Sequence, residues 1–187
     1  MITQGEHGRW SNRADDVIDI VPYDARWVDQ FVRERGEIRE CVDASIPLAI
    51  EHFGSTAIPD MPAKPIIDIL VGADRRHWPA IVQALTRIGY LHWEGNPDAD
   101  REFLVKGMPP FGARRTHQVH ICEVGGSLWE RLRFRDYLRH HAEDRLAYAD
   151  LKHRLAAAHP DDREAYTRGK DAFVAAIMER ARSWGGV

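Results

Sequence analysis

A chain of 187 residues, with 26 Lys plus Arg against 29 Asp plus Glu and a net charge of −3, is long enough for one buried core. It has no excess of charge to draw nucleic acid or a membrane surface to it as a whole. Cys41 and Cys122 lie too far apart for a zinc spacing and fit a reduced, cytoplasmic protein. No apolar run reaches membrane-spanning length, and the polar start of the chain lacks a signal-peptide core.

Taken in order, residues 1–16 have no periodicity and are expected as a flexible N-terminal tail, leaving 17–183 as a single domain. The alternation over 17–21 reads as a short edge strand stopped by Pro22. Asp24 is placed to cap a helix over about 25–42, with Trp27, Phe31, Ile38 and Val42 inward and Arg33, Glu34 and Arg35 outward. A first core strand over 47–53 breaks at Gly54-Ser55, and Pro59, Pro62 and Pro65 make the connection irregular. A second core strand spans 65–72. Asp74 then caps a helix over 76–88 that Gly89 ends. Strands follow at 90–94, 102–106 and 116–124.

Ser127 and Glu130 have the spacing of a capping box and predict a helix through Arg139. A second helix is supported by Leu146, Ala149 and the run 151–155, and His159-Pro160 breaks it. A last helix starts at Asp161-Asp162, with Tyr166, Phe173, Ile177 and Met178 as its apolar face. Gly169 weakens it by about 1 kcal/mol relative to alanine. The order of elements predicts an α+β domain: a mixed β-sheet with flanking helices and a C-terminal helical segment.

One strand carries chemistry. Pro65-Ile66-Ile67-Asp68-Ile69-Leu70-Val71-Gly72 is apolar but for Asp68, and a buried acid needs a cation, a metal or hydrogen bonds. Gly54-Ser55 upstream offers backbone N–H groups of the kind that hold phosphate. The whole phrase, from Ile50-Glu51-His52-Phe53-Gly54-Ser55-Thr56-Ala57 through Lys64-Pro65-Ile66-Ile67-Asp68-Ile69, resembles the GrpB family, whose fold is that of the nucleotidyltransferases. Tyr23 to Trp27, Val119-His120-Ile121, Phe134 to Arg139, Tyr148 with Lys152 and Tyr166 with Lys170 extend the resemblance along the chain.

The resemblance implies a nucleotidyltransferase-like fold and a nucleotide or phosphorylated small molecule as partner, with nucleic acid and membrane not expected. In that reading Gly54 and Ser55 hold phosphates, and Lys64, Arg135, Lys152 and Lys170 neutralise them. Asp68 and His120 are the catalytic pair and bind a divalent metal, Mg²⁺ or a transition metal such as Mn²⁺ or Zn²⁺. Where the superfamily has a second carboxylate two residues after the first, this chain has Leu70, which cannot bind metal. Two readings stay open: a metal-dependent nucleotidyl transfer to a small acceptor, or a catalytically inactive binding or regulatory module that keeps the fold. Three points are left open by the sequence: the nucleotide and acceptor, the oligomeric state, and whether Glu51 or His52 faces the site.

Overall fold

The computed structural model describes residues 3–4, 10–11 and 17–185. Most of the expected tail lies outside them, and what is described there is one antiparallel pair, β1 (Thr3–Gln4) with β2 (Trp10–Ser11). The domain is built on a five-stranded sheet of β3 (Ala49–Phe53), β4 (Ile67–Gly72), β5 (Leu91–His92), β6 (Glu102–Lys106) and β7 (His117–Cys122). Their order across the sheet is β3-β4-β7-β6-β5. Only β4 and β7 run parallel; the other pairings are antiparallel, so the sheet is mixed.

Period-two alternation gives the sheet two different faces. On one, Ile67, Ile69 and Val71 meet Leu104, Val119 and Ile121 in the main core. Helices α1 (Arg26–Cys41) and α2 (Trp78–Arg87) cover that face with Trp27, Phe31, Ile38, Trp78, Ile81 and Leu85. The other face carries Asp68 and Leu70 on β4. In register opposite them, Gln118 and His120 stand on β7 and Phe53 and Glu51 on β3. The C-terminal segment has four helices, α3 (Leu132–His140), α4 (Ala142–Ala158), α5 (Arg163–Arg168) and α6 (Asp171–Ser183), of which α3, α4 and α6 form a second cluster with Ile58 and Met61. Among the described residues, no helix is long and apolar enough to cross a membrane.

The structure corrects several expectations. The segment 17–21 forms one bridge, Val21 to Ala63, and no strand. Glu34 is buried, because it stands three residues after Phe31 on the same helical stripe. It accepts from the Tyr90 hydroxyl at 2.9 Å and from Lys106 Nζ at 2.8 Å. The capping box at Ser127 does not form: Trp129–Arg131 is a 3₁₀ turn, Glu130 pairs with Arg133 at 2.7 Å, and the helix begins at Leu132. Leu146 is exposed rather than core. The last helix is two helices, broken at Gly169-Lys170.

Candidate functional site

The face of the sheet that carries Asp68 and the C-terminal helices enclose a cavity of about 1140 Å³. Gly54, Ser55, Lys64, Asp68, His120, Arg135, Lys152 and Lys170 all line it.

The Gly54-Ser55 corner has its shape for a reason internal to the fold. Gly54 has φ 71°, a left-handed conformation, and a Cβ there would stand 2.4 Å from Asp68 Oδ2. Only glycine lets the backbone turn this close to the carboxylate. The chain then tightens into the 3₁₀ turn Ser55–Ala57. Two arginines of α3 hold the corner from outside: Arg135 Nη1 donates to His52 O at 2.7 Å, and Arg139 donates to Ala57 O at 3.0 and 2.7 Å. Inside, Ser55 meets the Tyr148 phenol by a side-chain hydrogen bond.

Asp68 meets cations. Its burial raises the carboxyl pKa above the ordinary range, opposed by Lys64, Lys170, Arg163 and Arg115 in that order. With its amide turned to satisfy its neighbours, Gln118 donates to Asp68 Oδ1 at 2.8 Å and accepts from Arg163 at 3.0 Å and Arg115 at 2.9 Å. Lys64 and Lys170 stand over one ring: their Nζ atoms lie 5.3 and 4.4 Å from the Tyr166 ring centroid. Burial, and then Arg163 and Lys170, hold Lys64 well below the usual lysine range. Burial first, and Arg163 after it, lowers Lys170 to about 8 against the pull of Asp68 and Asp171. Four cations thus act on Asp68, in a cavity that Glu130, Asp161, Asp162, Glu164 and Asp171 also line.

His120 does not bond to Asp68. Its Nδ1 faces Arg101 Nη1 at 3.3 Å, and its ring lies 4.8 Å from that of Phe103 and 6.0 Å from that of Phe53. Burial, helped by Arg101, Arg131 and Arg115, lowers it to about 3, so the ring is neutral at physiological pH. The question between Glu51 and His52 resolves by alternation. Glu51 lies on the cavity face and accepts from Arg135 at 2.8 Å, while His52 stacks on Phe31 at 4.7 Å on the other face.

Two expected phosphate ligands are engaged elsewhere. Arg135 is held by Glu51, Asp136 and His52 O. Lys152 is buried, donates to Pro62 O and lies 5.0 Å from the Tyr148 ring centroid; burial, then Lys170, lowers it to about 7. Leu70, at the second carboxylate position, is wholly buried among Cys122, Leu128 and Leu132. Among the described residues, no group of three or more His, Cys, Asp or Glu is arranged to hold a metal.

Sequence reasoning missed Arg163 and Arg101 and gave Gln118 no role. Gln118 was legible, since it shares its strand face with His120. Arg163 follows Asp161-Asp162 at a helix start, where a basic residue reads as solvated. Arg101 sits in a loop before β6, with no periodic pattern to orient it.

Comparison with known proteins agrees with this geometry. A family model described as "GrpB protein" matches residues 17–180. A UPF0157 protein of Pseudomonas aeruginosa is 49% identical over 176 residues, covering 92% of this chain and 71% of that protein. The crystal structure of the conserved protein GrpB from Enterococcus faecalis superposes with a TM-score of 0.77 at 34% identity, covering 89% of this chain and 99% of that one. The Cid1 poly(U) polymerase bound to MgATP superposes with a TM-score of 0.51 at 16% identity, over 74% of this chain and 44% of Cid1. That last likeness is one of fold: the domain is nucleotidyltransferase-like.

Proposed function

This chain belongs to the GrpB family, and from that premise we propose that it binds a phosphorylated small molecule, a nucleotide first among them, in the cavity beneath Gly54. The observation that carries the reading is the set of cations around one carboxylate: Lys64, Lys170, Arg163 and Arg115 about Asp68. Lysines held below their ordinary pKa by burial and by like charges gain most from an incoming anion, which offsets both effects. Arginines opposite them offer paired hydrogen bonds to phosphate oxygens. Cid1, which shares the fold, has been solved with MgATP and with MgGTP, so a nucleoside triphosphate is the first ligand to try.

On this reading the residues do not fit a resident divalent metal. The charged groups that act on Asp68 are cations, Leu70 is core, and His120 has given Nδ1 to Arg101. A metal in this cavity would enter with the ligand's phosphates rather than on a protein cage.

The test is calorimetry of the four common nucleoside triphosphates with Mg²⁺, with Mn²⁺ and with chelator. At least one is expected to bind with chelator present. Lys64→Met and Lys170→Met, each removing a charge-assisted hydrogen bond to phosphate, are each expected to weaken it roughly tenfold. Silence in every combination would sink the reading.

A second reading, nucleotidyl transfer, has its own observation: Asp68 lies on the cavity face next to the Gly54 corner. Asp68→Asn would then abolish turnover of a bound triphosphate while leaving binding in place. Turnover that survives the substitution would exclude it.

A further inference from the structure

His120 presents an unused donor to the cavity. Arg101 can only donate, so the His120 Nδ1 facing Arg101 Nη1 at 3.3 Å is an acceptor and the ring proton is on Nε2. The side chain is only 8% exposed, it lines the cavity, and its Nε2–H has no partner among the described residues. A donor that faces a cavity and that the protein leaves unused is one that water or a ligand acceptor satisfies. Beside Arg101 it has rings: Phe103 at 4.8 Å, with Arg115 Cζ 6.0 Å from the Phe103 ring centroid, and Phe53 at 6.0 Å, with Trp93 edge-on to Phe103 at 6.2 Å, and Phe53, Phe103 and Trp93 line the same cavity. Lys64 and Lys170 lie over Tyr166, and Lys152 lies over Tyr148.

The two ends are joined by one strand. Gln118, which bridges Asp68 to the arginines, and His120 are two residues apart on β7, which puts them about 7 Å apart on one face.

We propose that His120, Phe53 and Phe103 form a subsite for a nucleobase, with Nε2–H donating to a ring nitrogen or carbonyl oxygen and the phenyl rings packing on its plane. The subsite deepens the phosphate-binding reading, since a base here and phosphates at Lys64 and Lys170 make one nucleotide-shaped ligand. His120 is thus a reader of the ring and not a metal ligand.

The experiment compares nucleoside triphosphates, inorganic tripolyphosphate and free nucleosides by calorimetry on the parent, His120→Phe and His120→Asn. In the parent, at least one nucleoside triphosphate is expected to bind roughly tenfold or more tightly than tripolyphosphate. His120→Phe, which keeps a ring but removes the donor, should erase most of that difference without changing the affinity for tripolyphosphate. His120→Asn, which keeps a donor, should restore part of it. If tripolyphosphate does not bind but a free nucleoside does, and His120→Phe abolishes it, the base subsite stands and the phosphate reading falls.

Equal binding of every triphosphate and tripolyphosphate, with no free nucleoside bound, overturns the subsite and leaves the phosphate reading intact. Binding of nothing overturns both. Should His120→Phe not fold, Phe103→Leu replaces it: loss of the ring wall must weaken the nucleoside triphosphate and spare tripolyphosphate, and an unchanged ratio overturns the proposal.

Discussion

At the scale of single residues, two positions are explained by contacts that no composition reveals. Gly54 is glycine because its φ of 71° and the Asp68 carboxylate, 2.4 Å from where a Cβ would sit, exclude any side chain. Gly54→Ala is expected to destabilise the fold by about 1–3 kcal/mol, read as a lower urea midpoint with an unchanged slope, and to weaken any ligand held at the corner. His52 is the second. It is buried against Phe31 and shares a hydrogen bond with Thr56 at 3.0 Å; burial, then Arg139 and Arg135, lowers it to about 3.

The unfolded chain takes up this proton near the ordinary histidine value, while the folded chain refuses it until about pH 3. The stability that His52 contributes is therefore present at neutral pH and lost progressively as pH falls below about 6.5. A denaturation series from pH 7 to pH 4 should show that loss, and His52→Asn should flatten it. An equally steep acid slope in the variant would show that other groups set it.

At the scale of elements, the alternation along β4 and β7 was legible. Within each strand it groups Asp68 with Leu70 and Gln118 with His120, and the structure has Asp68 and His120 lining the same cavity. What alternation could not supply was the partner each residue takes. His120 answers to Arg101, from a loop without periodicity, and Asp68 to Arg163, from the start of a short helix nearly a hundred residues on. The helical stripe of α1 predicts Trp27, Phe31, Ile38 and Val42 inward and Glu34 outward, whereas Glu34 is buried on the same stripe. Its burial depends on Tyr90 and Lys106 from other segments, which local pattern does not announce.

The expected capping box failed for a related reason, since Ser127 and Glu130 have the spacing but the turn at Trp129–Arg131 comes first. Leu70 is decided at this scale too. It packs at the junction of β4, β7 and the start of α3 with no exposed surface. Leu70→Asp therefore does not recreate a two-carboxylate grip; it buries an unpaired acid and is expected to cost roughly 3–5 kcal/mol, seen as a large fall in the thermal midpoint. A variant of unchanged stability that binds Mg²⁺ more tightly would show that this position faces the ligand after all.

At the scale of the whole molecule, a net charge of −3 conceals an interior of the opposite sign. The sheet contributes Asp68 to the cavity, and the segments around it contribute Lys64, Arg115, Arg163 and Lys170 together with Glu130, Asp161, Asp162, Glu164 and Asp171. Lys64 and Asp68 come from the Gly-Ser phrase and its strand, Arg115 from the loop before β7, and Arg163 and Lys170 from α5 and the residues that follow it, so no single stretch of the chain holds the site alone.

The central claim is that these half-buried lysines wait for an anion, and it has a direct readout in protons. Calorimetry of a nucleoside triphosphate at pH 8, in two buffers of different ionisation enthalpy, measures the protons taken up on binding. Lysines lowered by burial and by like charges regain their protons when phosphate arrives, so net proton uptake is predicted for the parent and a smaller uptake for Lys170→Met. Binding with no proton uptake, or with uptake that Lys170→Met leaves unchanged, would contradict it.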